Sequence, residues 1–237
     1  MTNFTMQVRN RFRLTKQALE SLAASGLENM NVTVLDDRSE DETAVFVQWW
    51  CVSHGARYVR NETPLGTGQL RNMVMEESRK FWGQGQFVAP HDNDTYFLPH
   101  WMHTLVRCYE SAWQHGFRLL GAYGHPYHLP LRTFPVLHPL LGGQQLAIQE
   151  VQALATQSMF MSWDVWDEYG PFCDTPIDKT CQSEDVDFTN KIRKDGYKLG
   201  VVYPHLVHAT ALKNTFGEPG PGWELVKAEC PPNVLCE

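Results

Sequence analysis

From Phe4 to Ala122 the chain alternates short β-branched and aromatic runs with longer stretches of helical period, and this rhythm restricts it to strands joined by helices. Phe4 to Val8 predicts a first strand. A helix from about Leu14 to Ser25 follows, with Leu14, Ala18, Leu19 and Leu22 on one face and Gly26 as its stop. Asn31 to Leu35 predicts a buried second strand that ends in Asp36-Asp37. Ser39 is placed to cap the next helix, whose apolar face would use Val45, Phe46, Trp49 and Trp50. Ala56 to Val59, Gln86 to Ala89 and Phe117 to Ala122 predict three more strands. Helices from Gly66-Thr67-Gly68 to about Trp82 and from Pro99 to His115 separate them. Strand, helix, strand in this order gives an α/β fold with a largely parallel sheet and helices on both faces.

The rhythm then breaks. Pro126, Pro130, Pro135 and Pro139 forbid a long helix between Gly124 and Gly143, so an irregular excursion is expected there. Its Leu131, Phe134 and Val136 suit a lid over a binding site, a subunit contact or packing against the domain. Ser183 to Asp195 predicts a helix closed by Gly196, Lys198 to Tyr203 a strand, and the Pro- and Gly-rich tail from Thr215 a surface coil.

At 237 residues and 43% hydrophobic composition the chain can build one core, which excludes intrinsic disorder. A net charge of −7 argues against a broad duplex-binding surface. No apolar run reaches the length of a membrane helix, and Met1 to Val8 lacks the pattern of a secretion signal, so a cytoplasmic location is expected. Cys51, Cys108, Cys173, Cys181, Cys230 and Cys236 form no C-x-x-C pair, and reduced thiols are expected, with Cys173 and Cys181 the pair to watch for a bridge. His100 with His103 and His125 with His128 have no carboxylate or thiol to complete a zinc site.

In an open parallel sheet ligands bind beyond the carboxyl ends of the strands, and carboxylates recur at those ends here. Asp36 and Asp37 follow the second strand, and Asp92-Asn93-Asp94 follows the fourth. Two acidic residues spaced i, i+2 around a turn can point at one cation and supply the oxygen ligands that Mg²⁺ or Mn²⁺ prefers. The same triplet also suits an Asx-turn before the next helix.

These residues together resemble the family 2 glycosyltransferases of the GT-A fold, over nearly the whole chain. Asn10-Arg11 is similar to the Asn-Arg after the family's first strand, and Val34 to Thr43 to its V-D-D-x-S-x-D-x-T segment. Gly66, Gly68, Arg71 and Asn72 resemble the G-x-x-x-A-R-N stretch, and Asp92-Asn93-Asp94 the D-x-D. Trp166 to Phe172 is similar to the stretch ending G-P-F, Ser183 to Phe188 to the S-E-D signature, and Val207-His208 to the closing Val-His.

The resemblance implies a single Rossmann-like GT-A domain over residues 1–214, with a nucleotide-sugar half to residue 123, an acceptor half from 124, and a tail from 215. It implies a metal-dependent, inverting enzyme that moves one sugar from a nucleotide-diphosphate donor, UDP-linked by preference, to a hydroxyl acceptor. Asn10, Arg11, Gly66 and Asn93 would serve the donor nucleotide, and Asp36 or Asp37 would accept a hydrogen bond from its base. Arg71 suits the diphosphate or a neighbouring carboxylate. Asp94, with His208, would hold Mn²⁺ or Mg²⁺, while Asp92 would hold ribose or sugar hydroxyls or reach the metal through water. Asp185 would be the base, with Glu184 as the fallback or an acceptor contact. Trp163 and Trp166 suit either a sugar platform or the core. No Q-x-x-R-W motif of processive synthases is present. A nucleotidyltransferase and a non-catalytic nucleotide-sugar binder are the competing readings. The acceptor stays open among glycans, small molecules and a hydroxylated base in viral DNA, as does a homodimer.

Overall fold

The computed structural model describes residues 1–63, 65–124, 131–136, 146–173, 184–211 and 232–236. The first half runs β1 (Thr2–Val8), α1 (Phe12–Ala24), β2 (Met30–Asp37), α2 (Thr43–His54), β3 (Arg57–Asn61), α3 (Thr67–Trp82) and β4 (Phe87–Asp92). It continues through β5 (Thr95–Phe97), α4 (Trp101–Trp113), β6 (Phe117–Gly121), β7 (Arg132–Val136) and β8 (Leu146–Val151). The last elements are β9 (Met159–Ser162), α5 (Trp163–Tyr169), α6 (Glu184–Lys194), β10 (Lys198–Tyr203) and β11 (Val207–Ala209).

Alternating polarity decides how the layers stack. Phe4, Met6 and Val8 of β1 share one apolar layer with Val32, Val34, Phe87 and Ala89, and α1, α2 and α4 cover it. On the opposite side Leu35 meets Leu70 and Val74 of α3, while Val88 and Leu119 meet Met75, Trp163, Trp166 and Phe188. Helices on both faces therefore follow from the period-2 pattern of the strands. Each large side chain buried this way contributes roughly 2 kcal/mol.

The expected mostly parallel α/β sheet is present, in the order β3-β2-β1-β4-β9-β6-β10-β8-β7. β3, β2, β1 and β4 run parallel, as do β6 and β10. β9 enters antiparallel between β4 and β6, and β8 and β7 extend the far edge antiparallel. Part of the excursion expected to be irregular is thus a strand. Pro135 is tolerated there because β7 is an edge strand that need not donate on its free side. Phe134 packs edge-on against Phe117, and residues 125–130 and 137–145 lie outside the described ones.

Two other local expectations fail. Ser39 does not cap α2, which begins at Thr43 after Asp41 Oδ1 accepts the Thr43 N–H at 2.9 Å. The Ser39 hydroxyl accepts the Asn10 N–H instead. The buried face of α2 is Thr43, Val47, Trp50 and Cys51, whereas Val45 and Trp49 are 75% and 60% exposed. Apolar residues surround this helix, so periodicity alone could not choose its inner face.

Near the end of the chain, Gln17 of α1 clasps Leu235 by both amide atoms, donating to its carbonyl at 2.9 Å and accepting its N–H at 2.6 Å. Cys236 is disulfide-bonded, contrary to the expectation of a reduced thiol. Cys181 lies outside the described residues, and with it the Cys173 and Cys181 pairing. Among the described residues no helix is long and apolar enough to cross a membrane.

Candidate active site at the ends of the parallel strands

Strand register sorts the acidic residues. Gln7 of β1 lies beside Leu35 on one flank and Asp92 on the other. The pleat then puts Asp37 on the same side of the sheet as Gln7 and Asp92, toward α3, and puts Asp36 on the opposite side. A cleft of about 240 Å³ opens on the α3 side, lined among others by Gln7, Arg11, Asp37, Arg71, Asp92 and Asp94.

Asp36 does not line that cleft. Fully buried, it accepts from Tyr58 Oη at 3.0 Å, from the Ser39 N–H at 2.8 Å and from the Arg60 guanidinium. Its oxygens are taken up in holding β2, β3 and the following turn together. Asp37 also holds its surroundings, accepting from Asn61 Nδ2 at 2.8 Å and the Leu65 N–H at 3.3 Å, but its second oxygen faces Arg9 at 3.6 Å within the cleft.

Arg71 descends from the first turns of α3 and is only 4% exposed. Its Nη2 donates to Asp92 Oδ1 at 2.8 Å and lies 3.7 Å from Glu184 Oε1. Arg71 thus meets the neighbouring carboxylates and also lines the cleft. Gly68 makes this convergence sterically feasible: a Cβ there would lie 2.2 Å from the Cys173 carbonyl oxygen. Gly66 ends the preceding loop as the N-cap of α3, with open space around it.

Asn10 and Arg11 are both left-handed, at φ 53° and 59°, a conformation that costs roughly 1–2 kcal/mol per non-glycine residue. Asn10 recovers part of that cost. Its side-chain oxygen accepts the Glu40 N–H at 2.8 Å, so it ties the loop after β1 to the loop after β2 and does not line the cleft. The turn throws Arg11 across the cleft mouth, where its Nη1 lies 3.3 Å from Asp94 Oδ2. Asn93 donates to Thr15 Oγ1 at 2.7 Å and so anchors the acidic turn to α1.

Asp94 is 8% exposed, and its Oδ1 is buried with no hydrogen-bond partner. Burial first, and the charge of Asp92 second, push its pKa up to about 6, against the pull of Arg11. Thr210, just past β11, fixes its carbonyl with two donors at 2.8 Å. β11 pairs antiparallel with β5, placing His208 opposite Tyr96, and His208 does not line the cleft. Its Nδ1 is likewise buried without a partner, and burial pushes its pKa down, keeping the imidazole neutral as a ligand would need to be. Each of these orphaned groups is of a kind that ligates a divalent cation. Among the described residues no three His, Cys, Asp or Glu side chains cluster to hold one.

Asp185 is half-buried in the first turn of α6, where its Oδ1 accepts the Val186 N–H at 2.7 Å. Glu184 beside it is drawn toward Arg71. Trp163 and Trp166 correct the sugar-platform alternative: at 1% and 4% exposure they pack with Phe172 and Phe188, and the Arg79 guanidinium covers the Trp163 ring at 4.2 Å. Neither ring has a face left for a ligand.

The sequence reading did not single out Gln7, Arg9, Leu65, Thr67 and Leu70, all of which line the cleft. Strict alternation over Phe4-Thr5-Met6-Gln7-Val8 carries the missing signal for Gln7, since it assigns that residue to the side away from the α1 layer.

Residues 5–117 match the model of Glycosyl transferase family 2. No curated protein matches the sequence. Among solved structures, the mannosyltransferase PcManGT from Pyrobaculum calidifontis, in complex with GDP-Man and Mn²⁺, is similar at a TM-score of 0.59. It is 14% identical over 84% of this chain and 56% of that one. TarS 1–349 from S. aureus, in complex with UDP-GlcNAc, gives a TM-score of 0.58 and 20% identity over 84% of this chain and 55% of that one. The present chain spans little more than half the length of these structures, and at such identities the likeness is one of fold.

Proposed function

Starting from a chain with a family 2-like GT-A glycosyltransferase fold, we propose that it is a metal-dependent, inverting enzyme. It moves a single sugar from a nucleotide-diphosphate donor, UDP-linked by preference, to a hydroxyl acceptor. The observation that carries this reading is the buried, unpartnered Oδ1 of Asp94 at the edge of a cleft lined by Arg11, Asp37 and Arg71. A buried carboxylate oxygen without a donor is costly, and a cation brought in with a diphosphate satisfies it.

In this reading Asp37, rather than Asp36, accepts the imide N–H of the base, because only Asp37 reaches the cleft. Asp94 and His208 would hold Mn²⁺ or Mg²⁺, which would supply positive charge beside the diphosphate as it leaves. Arg11, at the cleft mouth, exchanges Asp94 for the diphosphate and adds charge-assisted hydrogen bonds to the leaving group. Arg71 keeps Asp92 and Glu184 oriented. Asp185 takes the acceptor hydroxyl proton as its oxygen attacks the anomeric carbon on the face opposite the leaving group. Glu184 contacts the acceptor.

The test is to incubate the protein with Mn²⁺ and a panel of UDP-, GDP- and TDP-sugars and follow nucleoside diphosphate release. Slow, metal-dependent release from one class is expected even without acceptor, and product stereochemistry then reads out inversion. Consumption of nucleoside triphosphates alone would replace this reading with nucleotidyl transfer.

A further inference from the structure

We propose that Gln7 selects the ribose of the donor, its side-chain oxygen accepting a hydrogen bond from a ribose hydroxyl, so that ribonucleotides bind in preference to their deoxy analogues. The inference rests on the nucleotide-sugar reading of the cleft and deepens it.

Three observations carry it. Gln7 lines the cleft from the end of β1, the strand between β2 with Asp37 and β4 with Asp92. Its Nε2 donates to Asp92 Oδ1 at 3.1 Å, and because a carboxylate only accepts, this contact fixes which way the amide faces. The other amide atom, Oε1, is then left buried with no hydrogen-bond partner. A buried acceptor without a donor is rare in a folded protein and points to a group that arrives with a ligand.

The position of Gln7 says which group. With the base at Asp37 and the diphosphate at Asp94, the sugar that joins them crosses the end of β1. Neighbouring strands lie about 4.8 Å apart, so the carboxylates of β2 and β4 flank Gln7 across about 10 Å, the scale of one nucleoside. A diphosphate presents only acceptors to Oε1 and is repelled. Ribose hydroxyls are donors, and the cis-diol is the one part of the nucleotide that offers O–H groups there. Removing such a hydroxyl leaves Oε1 buried and unpaired, which weakens binding about tenfold or more.

The experiment is titration calorimetry of the full chain with Mn²⁺ and UDP, 2′-deoxy-UDP or 3′-deoxy-UDP, with GDP and its deoxy analogues in parallel, on wild type and Gln7→Met. Wild type is expected to prefer the ribonucleotide by about tenfold over at least one deoxy analogue. In Gln7→Met that preference falls to within about twofold, while Arg71 still orients Asp92 at 2.8 Å. A preference that persists in Gln7→Met belongs to Asp92 and overturns the inference. Equal affinity of wild type for ribo- and deoxynucleotides overturns it without any variant, so a misfolded Gln7→Met does not shield it. Should no nucleoside diphosphate bind wild type at all, the donor reading of the cleft falls as well; binding without discrimination sinks only the role of Gln7.

Discussion

Replacing Asp94 by Asn should have opposite effects on the empty and the loaded protein. In the folded state burial and Asp92 raise the Asp94 pKa from 3.8 to about 6, so between those values the folded protein holds a proton that the unfolded chain has lost. Unfolding free energy therefore falls as pH rises from about 4 to about 6, and the full penalty persists above it. At 1.36 kcal/mol per pH unit the gap corresponds to about 3 kcal/mol, a ceiling because Asn also gives up the charge that Arg11 faces at 3.3 Å. For a chain of this size each kcal/mol moves the midpoint by roughly 2–4 °C, so Asp94→Asn without ligands should melt several degrees higher than wild type at pH 7.5. The gain should vanish near pH 4. With Mn²⁺ and UDP the order should reverse. Ligand at a thousand times its Kd stabilises wild type by about 4.1 kcal/mol, more than the variant's advantage, and the variant, lacking the metal carboxylate, should gain almost none of it. Differential scanning fluorimetry from pH 4 to 8, with and without Mn²⁺ and UDP, measures all four cases. The reasoning is refuted if the unliganded variant is no more stable than wild type at pH 7.5, or if Mn²⁺ and UDP raise both midpoints alike.

Asp185→Asn should lower kcat by about a hundredfold or more while UDP affinity stays within about twofold, checked by steady-state assay and calorimetry. Asp36→Ala should destabilise the fold by about 2 kcal/mol, because it leaves the Ser39 N–H and the Tyr58 hydroxyl without their acceptor. Asp37→Asn should instead weaken nucleotide binding about tenfold, and denaturant titration beside calorimetry separates the two aspartates. Gly68→Ala should lose roughly 1–2 kcal/mol, the clash with the Cys173 carbonyl outweighing the helix gain of about 1 kcal/mol, and kcat should fall as α6 shifts. Trp163→Ala should cost about 3–5 kcal/mol, and the conservative Trp163→Phe should leave the acceptor KM unchanged.

What the residues alone determine is local. The alternation of Phe4 to Val8 and Val32 to Val34, the Gly66 start of α3, the acidic turn at Asp92 to Asp94 and the strand at Lys198 to Tyr203 each lie within a few positions along the chain. Such short-range patterns express propensity and period directly. The α/β fold and the position of the acidic residues at its strand ends were legible for that reason.

Pairing between distant segments decides the rest. Whether Asp36 or Asp37 faces the cleft depends on the register of β2 between β1 and β3, and one residue of slip would exchange their roles. The inner face of α2 depends on what α1 and β2 present to a helix that is apolar all round. Trp163 and Trp166 read alike as platform or core until β9, antiparallel between β4 and β6, carries α5 against Phe172 and Phe188. His208 comes near the acidic turn only because β11 pairs with β5, more than a hundred residues earlier. Sequence sets which groups this protein has to offer. Long-range hydrogen-bonded register, which no local pattern encodes, sets which of them meet in the cleft.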